Sequence, residues 1–232
     1  MDYLVEAFRD SIQLIFSLDR EIYGIVGRSL CFSLTATFLA ALVGVPIGFL
    51  VATKRFRGRS GLLMVMNTLM ALPTVVVGLL AYGFFSRQAP LGFLDLLFSP
   101  SAVIIGEFFL SLPIIANLTV SAVQAVDPRA ILTAKTLGAG SSMTAWTILM
   151  EARFSLLAAI IAGFGRAVSE VGSAMMLGGN IRFYTRTMTT AIALETSKGE
   201  FGFGLALGFF LLLVVFSINI LFHFLQVRGR SS

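Results

Sequence analysis

Apolar residues in this chain fall in long blocks separated by short polar intervals, without the alternation of a half-buried strand. Five blocks, at residues 29–53, 61–86, 101–125, 154–178 and 201–227, each reach the ~20 residues that cross a bilayer as a helix. Pro73 is expected to kink the second block. Ahead of them, Leu4, Val5, Phe8, Ile12, Ile15 and Phe16 recur at helical spacing opposite Glu6, Arg9, Asp10 and Gln13. That stretch, Met1 to Leu18, predicts an amphipathic helix lying on the membrane surface rather than a cleavable targeting sequence.

The intervals set the topology. Lys54, Arg55, Arg57 and Arg59 crowd one short turn, and such a turn stays on the cytoplasmic side. The N-terminus is then expected outside, residues 87–100 and 179–200 form outer loops, and residues 126–153 and the C-terminus lie in the cytoplasm. Cations are otherwise only weakly biased between the two sides, so this turn decides the orientation. The expected fold is all-α and integral to the membrane: five transmembrane helices plus an N-terminal surface helix. By residue, 1–28 is the surface helix and lead-in, 29–227 the transmembrane domain, and 228–232 a short cytoplasmic tail with no regulatory domain following it.

Residues 126–153 are the one substantial interval that reads as water-facing folded structure. Asp127 suits a helix N-cap, Pro128 the first helical position, and Gly138 the left-handed residue after a helix end. Ser141 or Ser142 can cap a second helix running toward Arg153. The segment therefore predicts two helices joined by a glycine corner.

Composition narrows the class. The chain has 232 residues, is 57% hydrophobic, contains 22 Phe and carries a net charge of +5. In a membrane protein such cations mark inner loops and lipid head groups, so nucleic acid is not an expected partner and membrane lipid is. Cys31 is the only cysteine, which excludes an intramolecular disulfide and argues against a thiolate metal site. The sequence has no P-loop and no nucleophile–base constellation, and His223 reads as an interfacial packing residue. No catalytic residue, metal site or cofactor is expected within the chain.

The interval 126–153 is similar to the cytoplasmic motif of permease subunits of binding-protein-dependent ABC importers of the methionine/molybdate type. That motif runs Glu-Ala-Ala, three residues, Gly, nine residues, Ile, one residue, Leu-Pro. Here Leu132-Thr133-Ala134, Gly138, Ile148 and Met150-Glu151 stand at those places, and Lys135-Thr136-Leu137-Gly138-Ala139 also resembles the family's wording. The acidic residue and the Leu-Pro are missing. The resemblance covers most of residues 28 to 220 and looks most like the tungstate branch. It implies a homodimer with its path between protomers. Two ABC ATPase subunits, which bind the ATP, would couple through Asp127, Ala130, Ala134, Lys135, Leu137, Gly138, Ala139 and Ile148. A periplasmic or extracellular oxyanion-binding protein would dock around Arg87, Pro90 and Gly92 and around Gly178, Gly179, Asn180 and Arg182, and the whole would reside in the inner (plasma) membrane.

Three charges lie within the apolar blocks, where each costs ~2.5–3.5 kcal/mol at mid-bilayer and so faces protein or water. Arg166 and Glu170 are one helical turn apart and can pair. Either that pair fixes a helix, or Arg166, Ser169 and Glu170 border the path near a gate, as the resemblance implies. Glu107 calls for a structural partner. In the outer loop Gly178 and Gly179 could let backbone amides converge on an anion, with Arg182 and Arg186 adding charge, or the same turn could dock a partner protein. Ala40, Gly44 and Gly48 form a small-residue row suited to close helix packing. Competing readings are a permease for molybdate, sulfate or another small solute, and a stand-alone channel or secondary carrier.

Overall fold

The computed structural model describes residues 2–17 and 19–230, without the side chains of residues 2–4, 222, 223 and 225–230. Expectations for Met1, for Leu18, for the side chains of Leu4, His223 and the tail residues 228–230, and for residues 231–232 lie outside the described part.

Helix α1 (Asp2–Phe16) turns Ala7 and Ser11 toward the start of the last span, and Phe8 meets Phe209 edge-on with centroids 5.8 Å apart. Its bulky Val5, Phe8, Ile12 and Phe16 remain exposed. Asp19 then caps α2 (Arg20–Thr53), its carboxylate accepting from the amides of Glu21 and Ile22 at 2.8 and 3.1 Å. This helix starts well before the apolar block. At ~1.5 Å per residue its 34 residues span about 50 Å, more than a hydrocarbon core needs.

The second block is not one kinked helix. It is divided into α3 (Arg59–Met70) and α4 (Thr74–Phe85), whose axes differ by 101°. Pro73 offers no amide to the turn before it, and the amides of Ala71 and Leu72 bond back only three residues, so α3 unwinds and Pro73 becomes the N-cap of α4. Helix α5 (Pro100–Gln124), capped by Ser99, runs through the middle of the molecule. It packs on α2, α3, α4, the elbow-to-break helix α7 (Ser141–Val168) and the short α8 (Gly172–Gly178).

The register of α2 on α5 fixes the chain path. A Cβ on Gly44 would meet Ile115 and the Leu112 carbonyl, and one on Gly48 would lie 2.4 Å from the carbonyl oxygen of Ala116. Both numbers rise together, so α2 and α5 are parallel. The bent pair α3–α4 must therefore carry the chain from one end of the molecule to the other and counts as one crossing. With α2, α5, α7 and the final α10 (Phe201–Arg230), this makes five. Ala40 is buried in the same row. The largest core cluster joins Ile22 and Ile25 of α2, Phe164 and Val168 of α7, Met188 and Ala191 of α9 (Met188–Lys198), and Ala206 and Leu207 of α10.

The fourth block is likewise interrupted. Helix α7 stops at Val168, and Ser169, Glu170 and Val171 separate it from α8. The interval 126–153 does hold two helices, α6 (Pro128–Thr136) and the start of α7, but Gly140 precedes the second without a side-chain cap, so neither Ser141 nor Ser142 serves.

Candidate functional site: an elbow, a pair of helix breaks and an ion cluster opposite the elbow

Three places collect the functional candidates. At one end stands the elbow. The Asp127 carboxylate accepts from the Arg129 amide at 2.8 Å, and Pro128 opens α6. At its other end Gly138 takes φ +85°, its amide bonds to the Lys135 carbonyl, and the Ala139 amide bonds to the Ala134 carbonyl, both at 3.0 Å. This six-to-one and five-to-two pattern closes the orphan carbonyls of α6 and turns the chain sharply. No residue of α6 is buried. Leu132, Leu137, Met143 and Trp146 point outward, Leu137 with 83% of its surface exposed. Ala130, Ala134 and Ala139 are half-buried, and Lys135 lines a groove of about 840 Å³ between the elbow and the end of α2. Ile148 is buried, so it anchors α7 to the body instead of offering a contact surface. Met150 and Glu151 lie inside unbroken helix, so there is no kink where the family's Leu-Pro is missing.

In the middle, two helix breaks face each other. A Cβ on Gly172, at the start of α8, would lie 2.7 Å from Thr74 Oγ1, at the start of α4, and one on Gly78 would lie 2.9 Å from the backbone of Ser173. Arg166 and Glu170 do not pair, contrary to one sequence expectation. The helix ends before Glu170, whose buried carboxylate turns to cap α8 by accepting the Ser173 amide at 2.8 Å. Thr189 Oγ1 holds the Glu170 carbonyl. Ser169 is exposed and its hydroxyl donates back to the Gly165 carbonyl at 2.7 Å. Arg166 stays half-buried and joins no ion pair among the described residues. Glu107 is buried on α5, and its Oε2 has no hydrogen-bond partner among the described residues.

At the end opposite the elbow, the loop after α8 does not form the amide cradle considered for it. The amides of Gly179, Ile181, Thr185 and Arg186 all bond internally, and the Gly178 carbonyl accepts from Thr185 Oγ1. Asn180, at φ +49°, donates its side-chain amide to the Thr190 carbonyl at 3.2 Å. The two arginines are also engaged. Arg182 pairs with Glu21, which holds its guanidinium still more firmly charged, and Arg186 lies 3.5 Å from Glu21 and 3.3 Å from Glu195. Lys198 completes the cluster at 3.1 Å from Glu195. Glu21 and Glu195 escaped the sequence reading because surface carboxylates spaced far apart in a chain carry no mark of a shared partner. Arg87 and Pro90 are exposed, whereas Gly92 is buried against the carbonyls of residues 86 and 87. Phe93, Ile181, Phe183 and Tyr184 are exposed at this same end.

Five apolar crossings, an outward elbow at one end and a compact loop cluster at the other define a polytopic membrane transport component. Residues 44–230 match the family described as binding-protein-dependent transport system inner membrane component, and the chain belongs to that family. It is similar to the tungstate uptake system permease protein TupB of Peptoclostridium acidaminophilum, at 38% identity over 97% of this chain and 99% of the relative. The protein of the same description from Campylobacter jejuni is 36% identical over 97% of this chain and 95% of its own length. A probable anion ABC transporter permease protein of Haloferax volcanii is 41% identical over 85% of this chain and 87% of the relative.

Proposed function

We propose that this chain is the membrane-spanning permease of an ATP-driven tungstate importer. The near full-length similarity to two tungstate uptake permeases carries this reading. Two copies form the path between them. Two ATPase subunits, which bind and hydrolyse the ATP, dock on the elbows, and an external binding protein delivers the oxyanion to the opposite end, where Arg87, Pro90 and the exposed aromatic rim of Phe93, Phe183 and Tyr184 are available. The chain itself carries no cofactor. The elbow and the cationic turn lie in the cytoplasm, with the N-terminus outside and the C-terminus inside.

An exposed elbow with no buried residue on α6 suits a surface waiting for a partner. Closure of the ATPases brings the two elbows together, and α7 carries that movement to the breaks around Ser169–Val171 and Pro73. Half-buried Arg166, without a carboxylate partner among the described residues, is suited to meet an anion there.

The test is co-purification and uptake. Co-expressed with an ABC ATPase subunit and an oxyanion-binding protein, the wild-type chain is expected to take up tungstate into liposomes only with ATP. Leu137→Glu alters an exposed side chain, so it should leave the fold intact and reduce retained ATPase at least ten-fold. Undiminished ATPase retention by that variant would remove the elbow as the docking site.

A further inference from the structure

The outer ends of α2 and of the loop after α8 enclose a groove of about 560 Å³ lined by Arg20, Tyr23, Gly24, Arg28 and Phe183. Two of its five lining residues are arginines, and neither has a carboxylate of its own. Arg28 Nε reaches the Arg186 carbonyl at 3.5 Å, a long contact, and its Nη2 is buried with no hydrogen-bond partner among the described residues. The acidic neighbour, Glu21, is already committed to Arg182 and Arg186. Arg20 is exposed and in no ion pair among the described residues. Asp19 beside it spends its carboxylate on two α2 amides.

The walls leave these two cations open to the groove. A Cβ at Gly24 would come within 3.3 Å of Arg28 Nη1, so the missing side chain makes room for the guanidinium. The Tyr23 hydroxyl is donated to the Ile15 carbonyl at 3.2 Å, which makes its ring a wall. Phe183 sits at φ +62°, a conformation rare for an aromatic residue, and Arg182 stacks over its ring at 5.0 Å. The loop thus holds a strained residue at the groove, where functional sites often store such strain.

An orphaned donor on a half-buried guanidinium calls for an acceptor, and guanidinium forks match oxygen-cornered anions with short charge-assisted bonds. We infer that this groove binds a tetrahedral oxyanion between Arg28 and Arg20, as a receiving site on the permease at the end opposite the elbow. The inference rests on the importer reading for the anion's identity and adds to it a station within this chain. Its uncompensated charge would also concentrate anion at the outer mouth. The phosphate of an anionic lipid head group has the same chemistry, and the experiment separates the two sources.

The importer, assembled with its ATPase subunits but without binding protein, is placed in phosphatidylcholine nanodiscs, and bound tungstate is measured by dialysis and elemental mass spectrometry. Wild type is expected to bind, Arg28→Gln at least ten-fold more weakly, Arg20→Gln several-fold more weakly, and Arg28→Lys in between. Retained ATPase reports that each variant has folded; should Arg28→Gln fail that check, exposed Arg20 decides alone. Displacement of tungstate by added phosphatidylglycerol, lost in the arginine variants, would support the groove and assign it to head groups. Wild-type-like binding by folded variants, or no binding of either anion by wild type, overturns the inference. ATP-driven tungstate uptake with the binding protein is measured on the same preparation: if it persists, only the groove fails, and if it is absent, the importer reading fails.

Discussion

Gly48 sits where two helices come closest, and its missing side chain is what allows the approach. The atom a Cβ would strike at 2.4 Å is a backbone oxygen of α5, which cannot swing aside as a side chain would. Gly48→Ala should therefore cost about 1–3 kcal/mol, read as a lower thermal unfolding midpoint in detergent. Gly27 of the same helix has nothing within 4 Å, so Gly27→Ala should leave the midpoint unchanged or raise it slightly. Equal effects of the two changes would show that the contact with Ala116 does not limit packing. The row Ala40, Gly44 and Gly48 was visible in the sequence as a spacing. Its partner helix was not, because spacing describes a face and says nothing of what covers it. Arg166 and Glu170 failed for a related reason: four residues apart implies a shared face only while the helix continues, and here it ends between them.

At the scale of elements, the cluster Glu21, Arg182, Arg186, Glu195 and Lys198 ties the head of α2 to α9 and to the loop between α8 and α9. Its parts are unequal. Arg182 is largely solvent-exposed, so its bond to Glu21 contributes little after screening. Arg186 is buried and relies on two carboxylates. Either Glu21→Gln or Glu195→Gln leaves it one, whereas the double change strands a buried cation. The double variant should lose more than the sum of the singles, by about 1–3 kcal/mol. Strictly additive midpoints would mean that Arg186 is solvated despite its burial. The elements themselves were mostly legible as apolar blocks. Their breaks were not: hydropathy is continuous through Leu72, the charges Arg166 and Glu170 read equally well as a pair on an unbroken helix, and a transfer scale cannot see the direction of the backbone. Pro73 marked a weak point without giving its angle. The second break carries no proline and depends on Glu170 choosing the α8 amides over a neighbouring arginine.

For the molecule as a whole, the parallel run of α2 and α5 requires an odd crossing between them, which the cationic turn and the block count had already implied. Orientation is open to direct measurement. In a Cys31→Ser background, Gln88→Cys should react with a membrane-impermeant maleimide on intact cells, and Ser142→Cys only after permeabilisation. Both positions are exposed, so burial would not confuse the result. The opposite pattern would turn the molecule over and place the elbow outside. The family was legible from one short motif despite two departures from it, since the fold needs the glycine corner and the anchoring Ile148 more than it needs an acidic residue at Leu132. What the motif could not convey was how the loops opposite the elbow spend their hydrogen bonds, because those partners lie in distant parts of the chain.

Helix α7 has a mechanical consequence. It runs unbroken from Ser141 to Val168, about 42 Å at 1.5 Å per residue, with the glycine corner at one end and the Ser169–Val171 break at the other. A shaft with joints only at its tips neither stores nor dissipates a push along the way. Displacement applied at the corner arrives at the break at nearly full stroke, so the two ends cannot hold independent positions. In the proposed importer, a partner gripping the corner would therefore also register the position of the far end.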